Sequence, residues 1–356
     1  MEKKVTLKQI AELAEVSIGT VDRALNNRGR INTETKDKIL KIADELHYKP
    51  NLLASSLSKK KRIHIGIVMS SQPEEFCKYL INGVEKAKNE VLDYGVTSEF
   101  IMTESLSGKV QLEALKKINL DDFDGFLLNA GSDELKNWIN DTVAIGKTVM
   151  TFNSDIKTSN RICYVGEDPF RAGLLMGNLI NEIAPDVGTI GLLLGFQDNY
   201  SHYQRCRGIK QAVTQVYPDT RFIELQYYDS SDIAEEKTRE LLKIDPQIQV
   251  LFAASGTGVW GIGQVIESIE KEKRPKVFGY DVSKHVEILM KKDLCQAVIF
   301  QDPYWQGYYG MKILIDHFIL KKKIKRKQYI IRSKLVLKNN ICDYLRDKYE
   351  NDVFLL

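Results

Sequence analysis

One run of residues has a spacing associated with cofactor chemistry, Gly256-x-Gly258-x-x-Gly261. It follows the apolar stretch Val250–Ala253 and opens a helical pattern, and Asp281 comes 20 residues after Gly261 at the end of a second apolar stretch. Glycines in that order let backbone approach a pyrophosphate at a helix N-terminus, and an acid at that distance takes a ribose hydroxyl. An NAD-binding enzyme is therefore one reading. Against it, the motif begins at residue 256 of 356, which leaves too few strands for a six-stranded nucleotide domain. A phosphate-bearing ligand on the same helix N-terminus is the narrower alternative. Other catalytic spacings are absent. The five histidines (47, 64, 202, 285 and 317) form no H-x-x-x-H pair, and there is no Walker loop. Ser201-His202 lacks a G-x-S-x-G elbow and reads as a loop on the rim of a cleft rather than a nucleophile. The five cysteines (77, 163, 206, 295 and 342) are odd in number, scattered and never paired as C-x-x-C. That excludes a zinc site and a disulfide framework and fits a reducing cytoplasm. No catalytic residue, metal ligand or cofactor is expected.

Charge points to a different kind of partner. The 356 residues carry a net charge of +3, yet residues 1–62 hold 14 basic and 8 acidic side chains, and the remainder 37 and 40. A basic N-terminal sixth on an acidic body suggests a polyanion-binding module joined to something else. Hydrophobic residues at 43% and charged residues at 28% are ordinary for globular domains, and exclude a disordered or fibrous chain. No apolar run approaches the ~18–20 residues of a membrane span. The N-terminus has no apolar signal core. A soluble cytoplasmic protein without a membrane partner is expected.

The basic segment reads as helices only. Leu7, Ile10, Ala11 and Ala14 recur at helical spacing behind Thr6, a candidate cap. Ser17 caps a second helix bearing Val21, Ala24 and Leu25, and only Glu15-Val16 separates the two. Helices joined so tightly, with small Ala11 at the crossing, form a helix-turn-helix. A third helix from about Thr33 to His47 buries Ile39, Ile42, Ala43 and Leu46, with cap candidates across Asn32–Thr35.

The segment contains A-x-x-A-x-V-S (Ala11–Ser17), T-V-x-R-x-L-N (Thr20–Asn26), a helix start at Thr33 and L-x-Y-x-P-N (Leu46–Asn51). With these it resembles the DNA-binding headpiece of the lactose-repressor/galactose-repressor (LacI/GalR) family of bacterial transcription regulators. The resemblance implies a second helix in the major groove of operator DNA, with Ile18, Gly19, Thr20 and Arg23 facing base edges. Arg23 would fork onto a guanine and Ile18 pack on a thymine methyl. Thr6, Ser17, Asn26, Thr33 and Tyr48 would contact phosphates. After Pro50, Asn51–Leu57 would form a hinge helix whose Leu57 wedges into the minor groove, with Asn51 beside it. Lys59–Arg62 completes a basic linker. Three positions depart from the family pattern. Glu15 stands where glycine is usual, Asp22 where serine precedes the arginine, and Ser55 where arginine precedes the leucine.

From Ile63 the pattern changes. Apolar runs at Ile63–Met69, Val96–Met102, Gly125–Asn129, Thr148–Phe152, Thr189–Leu194, Arg221–Tyr227, Val250–Ala253, Lys276–Tyr280 and Ala297–Phe300 alternate with amphipathic stretches. Such runs imply parallel strands buried on both faces, in two doubly wound α/β sheets of five or six strands. The run Lys321–Lys327 reads as a solvated loop. IGIVMSS, DGFLLN, TFNSD, YVGEDPFRAGLLMG, Arg205-x-x-Gly208, VFGYD and QDP are similar to the periplasmic-binding-protein-like effector domain of the same family.

That likeness implies a helix-turn-helix headpiece over residues 1–50, a hinge over 51–62 and an effector and dimerisation domain over 63–356. The domain would have one lobe of about 63–166 and 303–330 and another of about 167–302 and 331–356. In the cleft between them, Phe76 would stack on a ring, Asn153 bond hydroxyls, Arg205 donate a fork and Asp281 accept two hydroxyls; Ser255, a further candidate, stands with Gly256 where the family usually has Asn-Asp. Gln301 or Asp302 would sit at the hinge. The expected function is a homodimeric regulator on a pseudo-palindromic operator, more a repressor than an activator, answering to a carbohydrate-like effector. The alternative is a sugar sensor whose headpiece has lost DNA affinity, as Glu15, Asp22 and Ser55 suggest.

Overall fold

A computed structural model describes residues 7–25, 29, 31–46, 62–91, 94–196 and 199–345. The chain divides after Lys61 into a small and a large unit.

In the small unit, helices α1 (Leu7–Ala14), α2 (Ile18–Leu25) and α3 (Thr33–Glu45) enclose one core. Ile10, Ala11, Ala14, Val21, Ala24, Ile39 and Ala43 are buried in it, with Ile42 and Leu46 packed at its margin. These are the positions that the helical period selects, because i, i+3, i+4 and i+7 share one face. The Asn32 side chain caps α3 by accepting from the Glu34 amide at 2.9 Å. The helix ends at Glu45, two residues short of the expected His47, with Leu46 as C-cap. The turn between α1 and α2 closes through the Val16 amide on the Ala11 carbonyl at 3.0 Å. Glu15 has φ = 58°, so the position where the family uses glycine is left-handed in this chain too. The side chain there costs about 1–2 kcal/mol relative to a relaxed backbone.

In the large unit, strands β1 (Ile63–Ser70), β2 (Val96–Thr103), β3 (Gly125–Leu128), β4 (Thr148–Phe152) and β5 (Cys163–Gly166) join a late strand, β11 (Gln328–Ile330). Together they make a sheet of order β11-β5-β4-β3-β1-β2, and every pairing is parallel. The second sheet holds β6 (Thr189–Leu194), β7 (Arg221–Gln226), β8 (Val250–Ala253), β9 (Lys276–Tyr280) and β10 (Ala297–Phe300). It adds β12 (Lys334–Val336), in the order β12-β10-β9-β8-β6-β7. β12 runs antiparallel to β10, a departure from the all-parallel expectation. β3 to β6 and β8 to β10 are buried along almost their whole length, which is why their sequences are continuously apolar rather than alternating.

All nine expected strands are present within a residue or so. Three were missed: β5, β11 and β12, of four, three and three residues. Segments so short carry no period, and the two late ones are half-exposed edge strands that extend existing sheets. The chain passes between sheets three times: after β5, after β10 and between β11 and β12. Polar residues at strand ends from both sheets therefore gather at those crossings.

Glu15→Gly removes the left-handed strain and is expected to stabilise the small unit by about 1 kcal/mol. Hydrogen exchange at the α1–α3 amides would register it as roughly fivefold slower opening.

Candidate functional site

The free face of α2 carries Ile18, which is 49% exposed, together with exposed Gly19 and Arg23. Thr20 is half-buried and Ser17 exposed just ahead of the helix. The Ser17 hydroxyl accepts from the Thr20 amide at 3.2 Å and lies 2.9 Å from the Thr20 hydroxyl, closing the first turn. Arg23 folds along its own helix, Nε donating to the Gly19 carbonyl at 3.1 Å and Nη2 reaching Thr20 Oγ1 at 3.5 Å. Neither bond is buried, so water or another acceptor can replace both. Thr33 is the exposed first residue of α3. Thr6, Asn26, Tyr48, Asn51 and Leu57 lie outside the described residues.

The large unit contains a cleft of about 520 Å³ including its mouth. Its floor is made of strand ends: Ser70 from β1, Asn129 after β3, Asn153 and Ser154 after β4, Asp229 after β7, Ser255 after β8, Asp281 after β9 and Gln301 after β10. Helix α4 (Glu74–Asn89) adds Phe76 and Cys77 from its first turn, and α8 (Tyr200–Val216) adds Ser201, His202 and Arg205. Ligand sites in open α/β sheets form at such carboxyl ends. Asn153, Asp229 and Asp281 have φ of 62°, 55° and 63°. Asn and Asp tolerate that left-handed bend, which turns the chain off the strand.

Six of the seven expected cleft residues line this space, namely Phe76, Asn153, Arg205, Ser255, Asp281 and Gln301. Asp302 does not. It is 2% exposed at the start of helix α12 (Pro303–Leu320), and its Oδ2 pairs with Lys334 Nζ at 2.6 Å, tying the second crossing to the third. The Arg205 fork also differs from expectation. Nε and Nη2 donate to Glu167 Oε1 at 2.8 and 2.6 Å, Nη1 to the Ala254 carbonyl at 2.7 Å, and Nη2 to Gln301 Oε1 at 3.1 Å. Its guanidinium stacks 3.8 Å from the Tyr280 ring centre. Asn153 Nδ2 donates to Gln301 and Gln306, and its Oδ1 accepts from Asn129 Nδ2 at 2.8 Å.

Ser201 and His202 are helical and buried in the cleft wall, where a loop was expected. Asn199 at the α8 cap places them, accepting from the His202 amide at 3.1 Å. Asn129, Asn199 and Asp229 are cleft residues that the sequence reading did not single out. For Asn129 a signal existed, since it is the first polar residue after an apolar strand, as are Asn153, Asp281 and Gln301.

The glycines of the G-x-G-x-x-G run are accounted for by packing. A Cβ on Gly258 would fall 2.7 Å from the Ala253 Cβ and the Tyr227 ring. One on Gly261 would fall 2.6 Å from the Ala234 Cβ, on helix α9 (Ser231–Ile244). Helix α10 (Gly256–Ile266) thus needs them to sit against β8 and α9. Among the described residues, no group of His, Cys, Asp and Glu is placed to hold a metal ion.

Burial raises the Asp281 carboxyl to about 6 from its ordinary 3.8. Arg205 and the Gln301 hydrogen bond work against this, and the charges of Glu167 and Asp229 reinforce it. The folded state therefore holds this proton more tightly than the unfolded chain. The group's contribution to stability is fully present below pH 3.8 and is lost as pH rises through 6. Asp281→Asn is expected to remove that loss, raising the urea midpoint at pH 7 relative to the parent but not at pH 4. Glu167→Gln leaves the buried guanidinium unmatched and is expected to destabilise the large unit by about 3–5 kcal/mol in the same assay.

Residues 65–323 match the family model of the periplasmic binding protein domain, and residues 6–51 that of bacterial regulatory proteins of the lacI family. The HTH-type transcriptional regulator RegA of Clostridium saccharobutylicum is 25% identical over 342 residues, 93% of this chain and 97% of its own length. The ribose operon repressor of Halalkalibacterium halodurans is 24% identical over 337 residues, 94% and 96% of the two chains. The glucose-galactose binding protein GanP from Geobacillus stearothermophilus superposes with a TM-score of 0.72 at 24% identity, covering 79% of this chain and 99% of its own. That last likeness is one of fold.

Proposed function

We propose that this chain, which belongs to the LacI family of bacterial regulatory proteins and carries a periplasmic binding protein domain, is a cytoplasmic repressor. It acts as a homodimer on a pseudo-palindromic operator, under the control of a carbohydrate-like effector held in the cleft. The observation that carries this reading is the face of α2. Ile18 and Gly19 stand exposed in its first turn and Arg23 in its last, while Val21 and Ala24 close the core behind them.

A helix presented in this way enters the major groove with its first turns against base edges. Arg23 exchanges its two weak intrahelical bonds for a forked contact to guanine, and Ile18 meets a thymine methyl. Ser17 and Thr33 at helix starts, with Thr6, Asn26 and Tyr48, hold phosphates. Asn51 and Leu57 serve the minor groove. In the cleft, Phe76 offers a ring face, and Asn153, Ser255, Asp281 and Gln301 offer hydrogen bonds to hydroxyls. Arg205 acts mainly by holding Gln301 and Glu167 in place. A change in lobe closure on effector binding shifts operator affinity by about 1–3 kcal/mol, the usual range of such coupling. Among the described residues no helix is long and apolar enough to cross a membrane. A reading as an effector sensor without DNA binding is favoured by one observation, the left-handed Glu15 in the recognition motif.

Selection of genomic fragments by the purified protein, with and without sugars, tests the two readings. A symmetric enriched motif whose recovery changes with a sugar supports the repressor. No enrichment at low salt leaves the sensor. Affinity for the motif is expected to fall by ~10³–10⁵ between 50 and 200 mM salt if roughly 6–10 phosphates are contacted. Arg23→Ala should cost about 1–3 kcal/mol on the selected operator and little on random DNA, read by fluorescence anisotropy. Equal losses on both would remove Arg23 from base recognition.

A further inference from the structure

Among the described residues that line the cleft, the charged side chains are Arg205, Asp229 and Asp281. Arg205 is matched by Glu167, which is 0% exposed and accepts from it twice. The two aspartates are held by neutral donors. Asp229 Oδ1 accepts from the Ser255 hydroxyl and Asp281 Oδ1 from Gln301 Nε2, each at 2.9 Å. His202 and the Cys77 thiol are further titratable groups in this wall. A Cβ placed on Gly195 would touch both the His202 ring and Asp229. The cleft therefore carries an excess of negative charge once the Arg205–Glu167 pair is set aside.

The hydrogen-bonding capacity leans the same way. The donors of Asn153 and Gln301, and most of those of Arg205, are engaged within the protein. Open acceptor capacity remains on Asn129 and on the two aspartates. Asn129 is 3% exposed and lines the cleft; its Nδ2 donates to Asn153, and its Oδ1 has no hydrogen-bond partner. A buried acceptor of that kind is satisfied only by an incoming donor. Three acceptors, Asn129, Asp229 and Asp281, thus face one space whose arginine is already matched by Glu167.

We infer that the effector is a hydroxyl-rich amine, an amino sugar or amino polyol, whose ammonium group lies between Asp229 and Asp281 and one of whose hydroxyls donates to Asn129. This rests on the reading of the cleft as the effector site and names the class of molecule that enters it. An ammonium supplies three donors and no acceptor, and its bonds to carboxylates are about twice as strong as neutral ones. A sugar acid or sugar phosphate brings acceptors and negative charge to a wall that already has both.

The test is titration calorimetry of the full chain with glucosamine and galactosamine against glucose, galactose and galacturonate. An amine is expected to bind roughly tenfold or more tightly than its neutral parent, and galacturonate to bind more weakly than either. Asp229→Asn and Asp281→Asn should each collapse the preference of amine over neutral sugar. Circular dichroism and a cooperative urea transition would report that the variants fold. Equal binding of amine and neutral sugar, or a preference for galacturonate, overturns the charge assignment while leaving the cleft as a sugar site. Binding of none of the five overturns the assignment and the reading beneath it together.

Discussion

The large unit is organised around a buried carboxylate, Glu167, and the guanidinium that neutralises it. Glu167 lies at the first passage between sheets, Gln301 at the second and Ser333 at the third. Arg205 reaches Glu167 and Gln301 together, and the Ser333 hydroxyl donates to the other Glu167 oxygen at 2.9 Å. A carboxylate with no exposed surface must have its charge and its lone pairs met within the protein. Here they are met only when all three connections are in register. The requirement fixes where the two sets of strand ends face each other, and so fixes the cleft. Gln301 passes the constraint on to Asn153 and Asp281, one from each sheet.

The same constraint explains why an arginine in a ligand cleft is not first of all a ligand group. Its fork is engaged by Glu167, Gln301 and the Ala254 carbonyl within the protein itself. The helix-turn-helix headpiece is built on the opposite principle. Its core contains no buried ion pair among the described residues, only small and branched apolar side chains on three short helices. Such a core is modest, so strain at Glu15 weighs more there than the same strain would in the body.

Much of this was legible in one dimension. Helical spacing located α1, α2 and α3 and the side chains that close them, because a core that small admits no other packing of the same apolar residues. Nine apolar runs located nine strands. Both assignments rest on local period, which survives in a single sequence. β5, β11 and β12 were not legible, because a strand of three or four residues is defined by the neighbour it pairs with. Ser201 and His202 were misplaced in a loop for a related reason, since the cap that makes them helical is the Asn199 side chain.

The amino-acid sequence by itself determined the order of elements, the helix-turn-helix, the doubly wound sheets and four of the polar residues at strand ends, Asn153, Ser255, Asp281 and Gln301. Those follow from period, turn chemistry and resemblance, all carried by near neighbours along the chain. Only the tertiary structure decided how the polar residues are divided. Arg205 is committed to Glu167, 38 residues away, and Asp302 to Lys334 outside the cleft, while Asn129, Asp229 and Asp281 keep acceptor capacity facing inward. Similarly, the glycines of α10 make room for Tyr227 and α9. A side chain's partner is set by which groups are buried with it, and burial is a property of the folded chain.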